Sequence, residues 1–127
     1  LGKKERLKSR KQIDGLFDQG RKMMVFPFRL MYYYSPGEYD LKAGFTVSSR
    51  SFPRAVDRNR IKRLTREAYR LQKSGLEEIL GKNKQTAYLF FIYTGRELPE
   101  FSTVQKTVQQ LLAKMVNQLH EGNFPNP

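Results

Sequence analysis

The chemistry available to this sequence is concentrated in one positively charged stretch. Residues 54–73, RAVDRNRIKRLTREAYRLQK, hold eight Lys or Arg residues in twenty positions and only two acids, Asp57 and Glu67. A guanidinium group can bind two phosphate oxygens at once and can stack on a nucleobase, whereas the ammonium group of Lys acts as a point charge. Arg outnumbers Lys in this stretch, which is typical of a surface that binds a phosphate-rich polymer.

On a helical wheel at about 100° per residue, the stretch separates into two faces. The polar arc spans roughly 140° and the apolar arc roughly 80°. The apolar arc consists of Ile61, Leu64, Ala68 and Leu71. The polar arc consists of Arg58, Lys62, Lys73, Arg66, Asn59, Arg70 and Arg63, with Arg60 and Glu67 between the arcs. The pattern predicts a helix from an N-cap at Asp57 to about Lys73, which packs on one side and faces an anion on the other.

Charge within this helix is poorly balanced. Like charges four residues apart repel, at a cost of about 0.2–0.5 kcal/mol per pair in an isolated helix. Arg58, Lys62, Arg66 and Arg70 form three such pairs in succession, and Glu67 lies off their arc. Residues 58–73 carry a net charge of +6, half of the +12 of the whole chain. A helix face that only contacts solvent usually has acidic residues among its basic ones. The clustering of basic residues therefore favours a face that binds nucleic acid.

The sequence contains no catalytic constellation beside the basic stretch. The absence of Cys excludes disulfides, thiolate nucleophiles and Cys-ligated zinc, and it fits a reducing compartment. His120, the single histidine, ends a predicted helix, where a cation suits the helix dipole. Asp14 and Asp18 are four residues apart and could hold a hydrated Mg²⁺, although such a pair more often solvates a helix. We therefore predict that the polypeptide has no catalytic residue and no metal site of its own.

Periodicity elsewhere predicts the elements that position the basic helix. Residues 9–19 should form a first helix, because Ser9 and Gln12 have capping-box spacing. The aromatic and aliphatic content of residues 25–36 predicts a strand that ends at a Pro36-Gly37 turn. A further short strand near Val25 is an alternative. Residues 41–49 are predicted to be its antiparallel return strand.

In the second half of the chain, the sequence pattern predicts a short helix, a strand and a last helix. Residues 85–95 are a continuous apolar run, which indicates a central strand buried on both faces. The last helix is predicted to begin at Ser102 as a second capping box with Gln105. Its core stripe consists of Val104, Val108, Leu111, Leu112, Met115 and Leu119.

The order of elements, α-β-β-(β)-α-β-α, predicts an α+β fold: a two-layer sandwich of about four strands and three helices. We predict one domain over residues 1–127, with an ordered core at about 6–120 and an irregular tail at 121–127. The longest apolar run, residues 87–93, is far shorter than the roughly 20 residues of a membrane helix. The basic N-terminus has no apolar segment behind it, so we expect no secretory signal and place the chain in the cytoplasm.

Residues 54–67, RAVDRNRIKRLTRE, resemble the signature of the bacterial ribonuclease P protein subunit family. That signature runs basic-Ala-Val, one free residue, Arg-Asn, two free residues and Lys-Arg, with a further Arg three positions on. Its fixed positions are occupied here by Arg54, Ala55, Val56, Arg58, Asn59, Lys62, Arg63 and Arg66. RLKSRKQIDGLFDQG is also similar to the family's first helix, and GFTVSS to the strand before the signature loop. The resemblance covers residues 6–119.

The resemblance implies a function. In this family the protein is the small partner of a catalytic RNA that cuts the 5′ leader from precursor tRNA. The RNA and its Mg²⁺ ions carry out the hydrolysis, and the protein binds the leader and steadies the active conformation. The implied partners are therefore the RNA subunit and precursor tRNA, with neither DNA nor a membrane expected. The implied fold has a left-handed β-α-β crossover, against the general right-handed preference.

The resemblance also implies the site residues. The RNA contacts carried over to this chain are Arg58, Asn59, Lys62, Arg63 and Arg66, with Arg54 and Arg60 as accessories and Arg70 on the same arc. The leader of the precursor is expected in a shallow aromatic cleft between the first helix and the sheet. In that cleft the family's positions fall on Ile13, Phe17 and Met31, with Tyr32 or Tyr33 as alternatives to Met31.

Two other readings remain open at this point. A ribosomal-type RNA-binding protein could use a similar sandwich and basic helix without taking part in nuclease function. A membrane-surface helix is the weaker alternative, because the apolar arc is narrow and lacks the Trp or Phe anchors of such helices. Phe17 and Ile13 are also ordinary core residues for an amphipathic helix.

Overall fold

A computed structural model describes residue 15 and residues 18–37 and 40–121 of the chain. Its elements in chain order are β1 (Arg21–Val25), β2 (Phe28–Pro36), β3 (Asp40–Val47), α1 (Ala55–Gln72), α2 (Ser74–Asn83), β4 (Gln85–Tyr93) and α3 (Phe101–His120). The predicted α+β class, with four strands and three helices in the described part, is confirmed. Gly15, Asp18 and Gln19 are helical, and the rest of the predicted first helix lies outside the described residues.

Two turns divide the first half of the sheet. The short strand near Val25 is present as β1, which pairs antiparallel with β2 around a turn at Phe26 and Pro27. β2 ends at Pro36, as predicted, and Gly37 follows with φ of +146°, a conformation that favours glycine. The first apolar segment is therefore a hairpin followed by a turn.

The predicted pairing of the third strand is wrong. The strand order is β1-β2-β4-β3, so β3 lies next to β4 and runs parallel to it instead of returning antiparallel on β2. β4 is the most continuously apolar strand, and the centre of the sheet gives it a neighbour on each side. A parallel pair needs a long crossover, which α1 and α2 provide between β3 and β4. The left-handed sense of this crossover stays a prediction.

The core lies between one face of the sheet and the three helices. The central position of β4 is confirmed, but its two faces differ: residues from Gln85 to Tyr93 alternate between buried and half-buried. The predicted core stripe of α3 is confirmed, since all six of its residues are buried. Phe91 of β4 meets Phe45 of β3 and Tyr69 of α1, with ring centroids 5.6 and 5.7 Å apart.

The buried face of α1 is rotated from the predicted apolar arc. Ile61 and Ala68 are buried as expected, but Leu71 is 50% exposed. Thr65 and Tyr69 are buried in its place. The Thr65 hydroxyl donates to the Ile61 carbonyl at 2.8 Å, so its burial leaves no unpaired polar group. Hydropathy alone favours Leu71 over Tyr69 for the buried face. In the folded chain Tyr69 is buried because its ring packs against the aromatic rings of the sheet.

The predicted N-caps at Asp57 and Ser102 are wrong, and the one predicted at Ser9 lies outside the described residues. α1 begins at Ala55 with Arg54 as its N-cap, and Asp57 lies in the first turn, where its charge suits the helix dipole. α3 begins at Phe101 after Glu100, and Ser102 lies inside the helix. Neither N-cap side chain makes a capping hydrogen bond. Of the predicted tail at 121–127, Glu121 is described as a turn, and the rest lies outside the described residues.

Candidate nucleic-acid interface

The cationic side chains of α1 lie along the surface of the molecule. None of the predicted RNA-contact residues is buried. The exposed ones are Arg54, Asn59, Arg60, Arg63 and Arg70, and the half-buried ones are Arg58, Lys62 and Arg66. The half-buried row has four-residue spacing, so it follows one flank of the helix, beside the packed face. The polar arc of the wheel is therefore present as one continuous surface, which we call the basic face.

Most of the charge on the basic face is not balanced by acids. Among the described residues, no salt bridge involves Lys62, Arg63 or Arg66. The guanidinium carbon of Arg66 lies 5.8 Å from the centre of the Phe45 ring, which holds this flank of the helix beside β3. Arg66 makes no hydrogen bond to another described residue, so its N–H groups are available to an anion.

Arg58 is placed differently from the other cations. Its Nη1 donates to the carbonyl oxygens of Phe52 and Pro53, each at 2.8 Å. Both carbonyls belong to the loop that precedes α1. One edge of this guanidinium group therefore binds the protein itself, which the signature motif did not reveal.

Arg70 is paired, contrary to the expectation that Glu67 lies too far off the arc. Its Nη2 and Nε donate to the two carboxylate oxygens of Glu67 at 2.6 and 3.1 Å. These hydrogen bonds lower the pKa of Glu67 and raise the pKa of Arg70, so the pair is ionised at neutral pH. The positive charge of Arg70 is thereby largely offset, and the Arg66–Arg70 repulsion is relieved.

We expect Glu67→Gln to strengthen RNA binding, because it removes a negative charge and frees the guanidinium group of Arg70. If Arg70 then gains one phosphate contact, the slope of log affinity against log salt should steepen by about 0.7–0.9. Fluorescence anisotropy over a salt series measures this slope. Glu78→Gln is the matched control, because Glu78 is exposed on α2 and the change of charge is the same. Equal slopes for the two variants would show that the ion pair does not restrain Arg70.

The predicted cleft is described on its sheet side only. Ile13 and Phe17 lie outside the described residues. Met31 is 1% exposed, so in this structure it offers no surface to a base. Tyr33 is half-buried on the same face of β2, the face opposite to the helical core.

A second aromatic and a lysine lie beside Tyr33. Tyr88 on β4 is the registered partner of both Tyr33 on β2 and Lys42 on β3, so the three side chains share one sheet face. Lys42 Nζ lies 5.9 Å from the centre of the Tyr88 ring and 4.0 Å from a carboxylate oxygen of Asp40. We call Tyr33, Tyr88 and Lys42 the aromatic row. Sequence reasoning missed two of its members because it paired β3 with the wrong strand.

Acidic and histidine side chains form no comparable group. Within residues 15, 18–37 and 40–121, no three His, Cys, Asp or Glu residues are close enough to hold a metal ion. His120 is exposed at the last position of α3, and Asp18 is exposed as well. Over the same residues, no helix has the length and apolar character to cross a membrane.

The fold and the basic face define a small cationic α+β protein with a mixed four-stranded sheet and a surface suited to polyanions. A family model described as Ribonuclease P matches residues 1–116. The chain belongs to the ribonuclease P family, as a protein component of the bacterial type. That component is part of a tRNA-processing endoribonuclease complex.

Relatives and solved structures agree with this membership. The chain is 37% identical to the ribonuclease P protein component of Porphyromonas gingivalis, over 99% of this chain and 90% of that one. It is 35% identical to that of Chlorobaculum tepidum, over 97% and 90%. The fold is similar to the Staphylococcus aureus RNase P protein, with a TM-score of 0.69 at 18% identity over 87% of this chain and 94% of that one. The fold is also similar to the Thermotoga maritima RNase P protein, with a TM-score of 0.67 at 22% identity over 87% of this chain and 96% of that one.

Proposed function

We propose that this chain binds the catalytic RNA of ribonuclease P and the 5′ leader of precursor tRNA, and so assists removal of the leader. The observation that carries the proposal is the run of cations on the basic face, above all Lys62, Arg63 and Arg66, which have no acidic partner among the described residues. A phosphate backbone would supply the charge that the protein lacks there. Arg forks and the adjacent Asn59 amide suit phosphate and sugar groups of a folded RNA.

The leader of the precursor would lie on the other surface, across the aromatic row. Stacking of a base on an aromatic side chain is worth about 1–3 kcal/mol, and a Lys beside the rings can meet the neighbouring phosphate. Tyr33 and Tyr88 would provide the rings, and Lys42 the charge. Because Met31 is covered, the stacking role that the resemblance gives to this strand would fall to Tyr33.

The hydrolysis itself would be the work of the RNA subunit. Mg²⁺, held mainly by that RNA and the substrate, would supply the activated water and the charge stabilisation at the phosphate. The side chains of this protein would bind and orient RNA. We expect the complex to act in the cytoplasm, with neither DNA nor a membrane among the partners of the protein.

A cleavage assay tests the proposal. Precursor tRNA is incubated with the cognate RNA subunit at low Mg²⁺, with and without the protein. We expect the protein alone to leave the precursor intact and the protein plus RNA to cleave it at least about 10-fold faster than the RNA alone, since cations that bind RNA replace Mg²⁺ in screening phosphates. The protein should also bind the precursor more tightly than mature tRNA, which has no leader for the aromatic row.

Failure to accelerate cleavage would contradict the proposal. A ribosomal-type RNA-binding protein is the second candidate, and the basic face alone would also suit ribosomal RNA. Co-purification with ribosomal subunits instead of the ribonuclease P RNA would favour that alternative.

A further inference from the structure

The loop of residues 48–54 carries two exposed arginines, Arg50 and Arg54, directly before α1. Its only buried side chain is Phe52, whose ring lies 5.9 Å from that of Tyr93 at the end of β4. The Phe52 amide donates to the Ser48 carbonyl at 3.1 Å, and the Arg50 amide donates to the Ser48 hydroxyl oxygen at 3.2 Å. The first half of the loop is therefore held by its own backbone and by one ring.

The second half of the loop is held by Arg58. The carbonyls of Phe52 and Pro53 both accept hydrogen bonds from Arg58 Nη1 at 2.8 Å. The two N–H groups of one nitrogen thus hold consecutive carbonyls, one turn into the helix that follows them. The Arg58 amide also donates to the Arg54 carbonyl at 3.3 Å, so side chain and backbone of one residue close the junction.

We propose that Arg58 is a positioning residue, which fixes the loop so that Arg50 and Arg54 are held in one arrangement relative to the basic face. Nη2 and Nε of Arg58 form another edge of the same planar group and make no hydrogen bond to a described residue, so they can bind a phosphate. Binding RNA with a loop that is already ordered avoids the entropy cost of ordering the backbone that carries these two cationic side chains. The part of this inference that concerns RNA rests on the proposed function, and the part that concerns the loop does not.

The Arg58→Lys variant distinguishes the loop-holding role of Arg58 from the effect of its positive charge. Lysine keeps the positive charge, but its nitrogen is one bond closer to the backbone and its ammonium group is compact and strongly hydrated. Arg63→Lys is the matched control, because Arg63 is exposed on the same helix and makes no hydrogen bond to another described residue. Both variants keep the net charge of +12.

Amide hydrogen exchange, followed by NMR on the free protein, reads the loop directly. The Phe52 amide exchanges only when its bond to the Ser48 carbonyl opens, and this opening also moves the Phe52 carbonyl that Arg58 Nη1 binds. We expect Arg58→Lys to speed this exchange about 10-fold or more, and Arg63→Lys to leave it within about 2-fold of wild type. Unchanged exchange at Phe52 in Arg58→Lys would overturn the proposal.

Affinity for the RNA subunit measures how much the positioned loop contributes to RNA binding. We expect Arg58→Lys to weaken binding about 10-fold, and to weaken it much less when Arg50 and Arg54 are already alanine, because the loop then has no cations to position. Equal losses in the two backgrounds, or wild-type affinity in Arg58→Lys, would overturn the positioning role. If the wild-type protein fails to bind the RNA, the proposed function fails, and hydrogen exchange still decides whether Arg58 holds the loop.

Discussion

Replacing Lys62, Arg63 and Arg66 together with Ala is expected to lower affinity for the RNA subunit about 100-fold at moderate salt. Each of these side chains carries a charge that no acid offsets among the described residues. Hydrogen bonds between charged groups contribute about 1.5–3 kcal/mol each when desolvated, and less at a wet surface. The slope of log affinity against log salt should also fall by about 2–3, at roughly 0.7–0.9 per lost phosphate contact.

A second triple variant separates local from overall charge. Lys82, Lys106 and Lys114 are exposed on α2 and α3, and replacing them with Ala removes the same three charges. We expect this control to retain affinity within a few-fold and to keep most of the salt dependence. Equal losses in both triple variants would show that only net charge matters and that the basic face has no special role.

The fold should survive the triple substitution on α1. Alanine has the highest helix propensity, and the change removes the Lys62–Arg66 repulsion. Loss of the Arg66–Phe45 contact offsets these gains, so thermal unfolding should show a melting temperature close to that of wild type. A clear fall in melting temperature would mean that the stems of these side chains stabilise the packing beside Phe45 by more than the helix gains.

Phe91→Ala is expected to have the largest effect on stability, with a loss of about 3–5 kcal/mol in the free energy of unfolding. Phe91 lies on the central strand and is 0% exposed. Its ring stacks on Phe45 at 5.6 Å with an interplanar angle of 11° and meets the edge of Tyr69 at 5.7 Å. The substitution would leave a cavity between the sheet and α1, because rings on both sides of it are fixed by their own backbones.

Phe26→Ala is the matched control, since Phe26 is 76% exposed at the turn between β1 and β2. We expect this substitution to change stability by less than about 0.5 kcal/mol. Urea unfolding at equilibrium, followed by circular dichroism, measures both variants. A loss below about 1.5 kcal/mol for Phe91→Ala would contradict the placement of this residue at the centre of the core.

Much of the candidate interface follows from local chemistry in residues 54–73. Helical geometry brings residues three and four apart onto one side, so Lys62 and Arg66 share a face in any fold that keeps this helix. For the same reason the sequence pattern alone predicts the α3 stripe from Val104 to Leu119, which the structure confirms. The continuous apolar run of β4 likewise predicted its central position.

Contacts between distant residues could not be predicted in this way. The partner of β3 depends on the total burial of the whole sheet, so a pattern inside residues 41–49 could not choose between β2 and β4. The aromatic row depends on that choice, because Lys42 meets Tyr88 only when β3 runs parallel to β4. The burial of Tyr69 in place of Leu71 on α1 also depends on a distant residue, because the Tyr69 ring packs against Phe91 of β4.

Local sequence pattern alone specifies a cationic helix with the family signature, an apolar stripe on the last helix and a central strand. Each of these properties repeats along a short segment, and covalent geometry alone brings the repeating side chains together. Long-range packing was needed to show that Arg58 binds the carbonyls of Phe52 and Pro53, and that Tyr33, Tyr88 and Lys42 form one row. Those arrangements depend on loop geometry and strand pairing, which are set by packing across the whole molecule.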